Sequence, residues 1–309
     1  MQILVTGGAG FIGSHLTQAL VQAGHHVRVL DNLSTGSLDN LTDVPVEFIQ
    51  GDVADWAVVK TAVSGCDLVF HQAALVSVPQ SLQNPKLNHD SNVTGTFHVF
   101  EAARQAGVSR VVYASSAAVY GNLPGLPKKE TDPLALLTPY AMAKRTAELL
   151  AAVYQASYGM EMIGLRYMNV FGPRQNPSSP YSGVLSIFCR KVLAGAPVVL
   201  HGDGEQTRDF VYVADVVKAN LLAVSATIAA LGAAPVFNIG RGLQTSLNQI
   251  VDMLGHITGR AIVKQHQPAR AGDIKHSVAD ISLAASRLGY APNTTIADGL
   301  KSTLDWFQA

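Results

Sequence analysis

The segment Thr6-Gly7-Gly8-Ala9-Gly10-Phe11-Ile12-Gly13 limits the architecture of this chain more than any other. It follows an apolar run at residues 3–6 and opens a stretch of helical period at 11–23, with Gly7, Gly10 and Gly13 spaced GxxGxxG. A turn that passes from strand to helix while its backbone approaches a pyrophosphate has no room for Cβ atoms. The helix start behind it offers free N–H groups and partial positive charge. Three spaced glycines also occur in ordinary βα turns, so their meaning depends on the rest of the chain.

Downstream of the glycines the chain alternates. Short apolar runs at 27–30, 46–50, 68–71, 110–115 and 162–167 are separated by longer segments, helical in period at 92–106 and 139–158. That rhythm predicts about six parallel strands by residue 170, an α/β doubly wound parallel Rossmann sheet. Gly172-Pro173-Arg174-Gln175-Asn176-Pro177-Ser178-Ser179-Pro180 is dense in turn formers and breaks it. The expected division is a dinucleotide-binding domain at 1–172, with a return segment near 212–240, and a smaller C-terminal α/β substrate-binding domain at 173–309. Helices are expected there at 183–194, 213–230, 247–255, 283–288 and 296–307, and strands at 198–200, 236–239 and 261–265.

Composition narrows the classes. Apolar residues make up 48% and charged residues 14%, which argues against disorder. Lys+Arg and Asp+Glu both number 22, so there is no cationic surplus with which to neutralise nucleic-acid phosphates. Cys66 and Cys189 lack metal-site spacing and cannot build a disulfide framework; no metal is expected, and a reducing cytoplasm is the expected setting. The start of the chain reads as a strand rather than a signal peptide, and the weakly polar stretch at 219–236 falls short of a membrane span.

Three strand ends support a dinucleotide. Asp31 comes 18 residues after Gly13, about where a carboxylate receives the ribose hydroxyls of NAD and would repel a 2′-phosphate; a plain strand-end turn residue is the lesser alternative. Gly51-Asp52-Val53 ends the third strand, where a carboxylate can accept from an adenine amino group, and His71-Gln72-Ala73-Ala74 ends the fourth. His71 by itself reads as a packed, hydrogen-bonded histidine.

Tyr140 and Lys144, four apart in the 139–158 helix, share one face, and Ser115 and Ser116 end the preceding strand. A phenol with a pKa near 10 is a poor base, but a neighbouring ammonium and a nicotinamide cation favour the phenolate; lowering it by ~3 units takes about 4 kcal/mol. A hydroxyl beside it can steady or pass the proton. YxxxK alone is common by chance, and the constellation is what gives it weight.

Taken jointly, Thr6–Gly13, Asp31-Asn32, Gly51-Asp52-Val53, His71–Ala74, Asn92, Ser115–Gly121, Tyr140xxxLys144 and Arg166–Arg174 resemble the extended short-chain dehydrogenases/reductases, and within them the UDP-sugar 4-epimerases, nearly end to end. The resemblance implies an NAD-dependent isomerase. Tyr140 is then the base at the sugar 4-hydroxyl, Ser116 its partner, and Lys144 a cofactor-ribose ligand that tunes Tyr140. Hydride moves from C4 to NAD and returns to the opposite face of a 4-keto sugar. It further implies cofactor contacts from Gly7, Gly10, Phe11, Ile12, Gly13, Asp31, Asn32, Asp52, Val53, Gln72, Ala73, Ala74, Asn92, Ser115 and Tyr167. The implied ligands of the UDP-sugar are Ser77, Ser116, Asn169, Arg208, Arg270, Asp273 and Ser277. Related dehydratases and decarboxylases carry an acid just after the strand-end hydroxyl, where this chain has Ala117 and Ala118. A reductase, which needs the same Tyr and Lys, stays open, as does a non-catalytic NAD-sensing protein.

Ser277 matches the family's gate beside the sugar 2-substituent, and its small size implies that UDP-GlcNAc/UDP-GalNAc is accepted alongside UDP-Glc/UDP-Gal. Where many galactose epimerases place a lysine near the cofactor phosphates, this chain has Val76-Ser77, which weakens the expected hold on the cofactor and leaves Ser77 for the substrate. Asp209 and Asp215 read as structural groups. Apolar residues of the 92–106 and 139–158 helices, among them Val99, Phe100, Leu149, Ala152 and Val153, point to a homodimer or to packing on the protomer's own sheet.

Overall fold

The computed structural model of the protein describes residues 1–176, 183–227, 235–269 and 274–308. Its centre is a seven-stranded sheet of β1 (Gln2–Thr6), β2 (His26–Asp31), β3 (Glu47–Gln50), β4 (Leu68–His71), β5 (Arg110–Ser116), β6 (Glu161–Tyr167) and β11 (Val236–Ile239). Every neighbouring pair is parallel, in the order β11-β6-β5-β4-β1-β2-β3. Because both faces are covered, the inner strands carry continuous apolar runs rather than an alternation, as in β1 and β4. Ile3 and Val5 enter one core with Phe70 and Leu165, while Leu4 between them enters the other with Val69 and Val111. Each fully buried Val, Leu or Ile is worth roughly 1.5–3 kcal/mol, so β1, buried on both sides, is a principal anchor of the sheet.

Helices α1 (Phe11–Gln22), α2 (Trp56–Val63), α3 (Val78–Gln83), α4 (Pro85–His89), α5 (Gly95–Gln105) and α6 (Pro139–Tyr158) connect these strands, and α8 (Val213–Ser225) precedes β11. Strand order reverses between β1 and β4, and the carboxyl ends of such a pair form the crevice in which α/β sheets bind ligands. That crevice holds the glycine loop on one side and Gln72-Ala73 on the other: a Cβ on Gly7, whose φ is +69°, would lie 2.7 Å from the Ala73 nitrogen.

Beyond β6 the chain builds a separate core around Phe171, Leu185, Phe188, Leu200, Ile250, Leu254 and Leu300. It comes from α7 (Val184–Leu193), α9 (Leu247–Thr258) and α11 (Ile296–Gln308), with α10 (Ser282–Leu288) packing instead on the main core. Three two-stranded ribbons serve this half: β7 (Asn169–Phe171) with β10 (Phe210–Tyr212), β8 (Val198–His201) with β13 (Lys264–Gln267), and β9 (Thr207–Arg208) with β12 (Thr245–Ser246). The strand expected at 261–265 lies at Lys264–Gln267 instead, and the first turn of the 92–106 helix is a wider π-type turn at Asp90–Thr94. Cys66 and Cys189 are free and buried. Among the described residues no helix is long and apolar enough to cross a membrane.

Candidate active site

Helix α6 carries the centre of the site. Thr138 caps it by accepting from Ala141 N–H at 3.2 Å, Pro139 fits its first position, and Gly159 ends it in the left-handed region at φ 69°. Tyr140 and Lys144 therefore start on its first two turns, facing the carboxyl end of β5. Both are buried, at 8% and 7% exposure. Tyr140 hydrogen-bonds with the Ser116 hydroxyl. The Lys144 Nζ lies 5.8 Å from the Tyr140 ring centroid and donates to the Ala114 carbonyl at 2.9 Å. The three residues expected to act together are thus together.

Their protonation departs from expectation. Burial pushes the Tyr140 phenol above its ordinary value, against the hydrogen bond from Ser116, which favours the phenolate. The Lys144 ammonium is itself brought down to about 8 by burial. In the chain alone the phenol is raised rather than lowered, because desolvation of the phenolate outweighs its polar neighbours.

The glycine loop fits a dinucleotide phosphate. A Cβ on Gly13 would fall 2.0 Å from the Gly7 oxygen, so that glycine closes the turn on itself. A Cβ on Gly10 meets only Gly7 O, at 3.2 Å, which leaves the space before α1 open. No side chain caps α1 and no acid stands in its first turn, so the Phe11 and Ile12 N–H groups keep the positive end of the helix available. Asp31 is buried and uses one oxygen on Ala9 N–H at 2.9 Å and the other on Leu33 N–H at 2.8 Å. It thus ties the glycine loop and the turn after β2 to the strand end, as the strand-end turn reading expects. Asn32 donates to Asp52 at 2.7 Å across the ends of β2 and β3, and Val53 packs under Gly95 of α5.

Several expected ligands have their side chains committed within the protein. Ser115 donates its hydroxyl to Glu148 at 2.6 Å, away from Ser116. Asn92 accepts from Leu75 N–H at 2.8 Å, donates to Leu75 O at 2.9 Å and to Asn88 at 2.8 Å; it holds the segment after Ala73-Ala74 in place. Ser77 caps α3 by accepting from Gln80 N–H at 3.1 Å. Tyr167 and Gln72 close a triangle with Asn220, at 3.1 and 3.2 Å from the Tyr167 hydroxyl. His71 lies between Thr6 at 2.8 Å and Thr96 at 3.0 Å, and burial lowers it to about 3, so it is a neutral packing group.

The other half brings Asn169, Arg208 and Ser277 into one neighbourhood. Asn169 pairs with Phe210 across β7 and β10, and its N–H donates to Asp209 O at 3.0 Å. Ser277 N–H donates to Thr207 O at 3.1 Å, the same carbonyl that accepts from Arg208 Nη1 at 2.9 Å. Arg270 and Asp273 lie outside the described residues. Asp209 accepts from the N–H groups of Arg241, Gly242 and Ala279, and Asp215 from those of Asn293 and Thr294, so both are loop anchors. Among the described residues no cluster of His, Cys, Asp and Glu could hold a metal ion.

Sequence reasoning assigned nothing to Glu148 or to Arg166, although Glu148 continues the Tyr140–Lys144 spacing by one more turn. In the structure these two form a buried ion pair directly behind the site, with Arg166 Nε and Nη2 each 2.8 Å from the carboxylate.

Comparison with known proteins places this geometry. Residues 3–240 match the family described as NAD dependent epimerase/dehydratase. A putative UDP-glucose 4-epimerase of Methanocaldococcus jannaschii is 39% identical over 99% of this chain and 98% of its own length. The crystal structure of the UDP-glucose 4-epimerase of Thermotoga maritima with UDP-glucose superposes with a TM-score of 0.94 at 38% identity, covering 100% of this chain and 99% of the other. The UDP-N-acetylglucosamine 4-epimerase of Methanobrevibacter ruminantium, in complex with UDP-N-acetylmuramic acid, gives 0.94 at 36% identity over 99% and 98% of the two chains.

Proposed function

The chain belongs to the NAD dependent epimerase/dehydratase family, and from that premise we propose that it inverts C4 of a UDP-hexose, interconverting UDP-Glc and UDP-Gal and also UDP-GlcNAc and UDP-GalNAc. The observation that carries the reading is the buried Tyr140–Lys144 pair beside Ser116 at the end of β5, with Ala117 and Ala118 next in place of an acid. A phenol, a hydroxyl and an ammonium are what oxidation and re-reduction of an alcohol need; no acid follows Ser116 for elimination or decarboxylation, and the Glu148 carboxylate behind Ser115 is taken up by Arg166 and Arg145.

When bound, NAD supplies the two-electron acceptor and donor for C4. The chain's own residues do the rest. Tyr140 takes the 4-hydroxyl proton and later returns it, Ser116 steadies that oxygen, and Lys144, placed under the phenol, favours the phenolate. The α1 N-terminus and Asp31 hold the dinucleotide from residues 1–172. Asn169, Arg208 and Ser277, with Arg270 and Asp273, receive the diphosphate, ribose and sugar from 173–309. An arginine suits a diphosphate because its fork donates to two oxygens at once.

A second copy of the chain is part of this reading. Val99 and Phe100 are wholly buried in the protomer's own core, which removes them from any interface. Phe97, Met142, Leu149 and Val153 on α5 and α6 remain 40–54% exposed, an apolar face suited to a homodimer.

The test is direct. Purified protein carrying NAD is incubated with UDP-Gal and with UDP-GalNAc, and the products are separated by chromatography. Formation of UDP-Glc and UDP-GlcNAc is expected. Absence of interconversion of either pair would defeat the reading, and a dehydrated or decarboxylated product would replace it with another reaction of the family.

A further inference from the structure

Helix α6 meets the end of β5 through three polar rungs. Tyr140, Lys144 and Glu148 are spaced four apart and form one stripe. Tyr140 bonds with the Ser116 hydroxyl, Lys144 Nζ donates to Ala114 O at 2.9 Å, and Ser115 Oγ donates to Glu148 Oε1 at 2.6 Å. Three consecutive residues of β5 thus each hold one residue of the stripe. The first two rungs belong to the reacting group; the third is enclosed, with Glu148 and Ser115 only 3% and 2% exposed.

That third rung is the most firmly fastened. Glu148 accepts from Arg166 Nε and Nη2 at 2.8 Å each, in a bidentate fork, and from Arg145 Nη1 at 2.8 Å. Arg166 is the register partner of Ser115 in the β5–β6 ladder, so the carboxylate sits over two side chains that are already neighbours in the sheet. The remaining Arg166 Nη1 donates to the Tyr120 hydroxyl at 2.9 Å, which in turn donates to Asn238 Oδ1 of β11 at 2.7 Å. One guanidinium therefore links α6 to β5, β6 and β11.

A buried ion pair gains little stability, because desolvation cancels most of its attraction. It is well suited to fixing geometry, since a bidentate fork tolerates neither sliding nor rotation of its partner. We propose that Glu148 and Arg166, with Ser115 as their link to the strand, are positioning residues that set the axial position and rotation of α6, and with them the Tyr140–Ser116 contact. The proposal rests on the proton-transfer role given to Tyr140 above. A displacement of about 1 Å at a reacting group can cost on the order of a hundred-fold in rate.

Ser115→Ala, Glu148→Gln and the double variant Glu148→Met/Arg166→Met are compared with the parent as NAD-bound enzyme on one UDP-hexose. The expected result is a KM within about two-fold of the parent throughout, with kcat lower by roughly three-fold, ten- to hundred-fold and a hundred-fold respectively, the last even where the double variant melts as high as the parent. The pH at half-maximal kcat should move upward as the Ser116 bond to the phenolate weakens. A double variant that folds and keeps kcat within two-fold overturns the proposal. So do single variants that raise KM while leaving kcat and its pH profile unchanged. If the double variant does not fold, Ser115→Ala, which deletes one hydroxyl, decides: unchanged kcat and pH profile overturn the idea. A parent with no turnover refutes the catalytic reading instead. The proposal is then decided by 13Cζ-tyrosine NMR: a Tyr140 titration that rises in Ser115→Ala and Glu148→Gln supports it, and one that does not move overturns it.

Discussion

The residues proposed to move a proton and those proposed to hold the sugar nucleotide stand on different kinds of structure. Tyr140, Lys144 and Ser116 are set on a twenty-residue helix and a seven-residue strand of the central sheet, and the first two are almost wholly enclosed. Asn169, Arg208 and Ser277 stand on a three-residue strand, a two-residue strand and a loop, where they are half-buried or exposed. Packing fixes the former; short ribbons and backbone bonds such as Ser277 N–H to Thr207 O fix the latter. A side chain locked by a core holds a reacting geometry, whereas a loop can be altered without loss of the fold. The chemistry should therefore be brittle and the specificity adjustable.

The sharpest way to break this contrast is Tyr140→Phe, which removes one oxygen from the enclosed side. A positioned acid/base contributes roughly 10²–10⁴-fold. We expect kcat to fall about a thousand-fold or more with KM nearly unchanged, measured by product formation from UDP-Gal. A phenylalanine variant retaining a tenth of the parent rate would show that another group carries the proton.

Lys144→Met probes the cost of enclosing that chemistry. Burial depresses the lysine from 10.5 to about 8, so holding it charged costs the NAD-free fold roughly 3 kcal/mol, less about 1 for the bond to Ala114. Folded chain then binds fewer protons than unfolded chain between about pH 8 and 10.5. The penalty is accordingly complete below about 8 and disappears as pH rises to 10.5. Urea unfolding should find the methionine variant more stable than the parent by about 2 kcal/mol at pH 7, the gap closing toward pH 10, while its turnover is lost. Arg208→Met, on a half-buried ribbon, should show no such pH-dependent gap. A gap for Lys144→Met that is absent at pH 7, or that widens with pH, would contradict the account.

The same contrast explains what could be read from the sequence. Strands such as β1, β4 and β6 and helices α1 and α6 were legible because burial on both faces writes continuous apolar runs, and because Gly7 and Gly13 are required by contacts as close as 2.0 Å. Short ribbons such as β9 and β12 left no periodic trace, since two residues carry no period. Side-chain partners were the other gap. Ser115, Asn92 and Ser77 are expected as ligands by position, and the intrachain partner that each also has is visible only in the folded chain. Glu148 was accessible to the i, i+4 rule that found Lys144, but Arg166, its partner on β6, required the β5–β6 register.

Ser277→Tyr sharpens the specificity half with the smallest expected effect. Ser277 is half-buried beside Thr207 and Arg208, and in the proposed reading its small side chain is what admits an N-acetyl group at C2 of the sugar. Filling that room adds a steric term against one substrate pair only, and pocket discrimination of this kind is worth about 1–3 kcal/mol, or roughly ten- to two-hundred-fold. The tyrosine variant should therefore lose kcat/KM for UDP-GalNAc by about that factor, while UDP-Gal stays within about three-fold and the Lys144-dependent pH response of stability is unchanged. Equal loss on both pairs would mean that Ser277 supports the loop rather than the choice of sugar. The separation between a rigid chemical end and an adjustable binding end would then fail at the position chosen to display it.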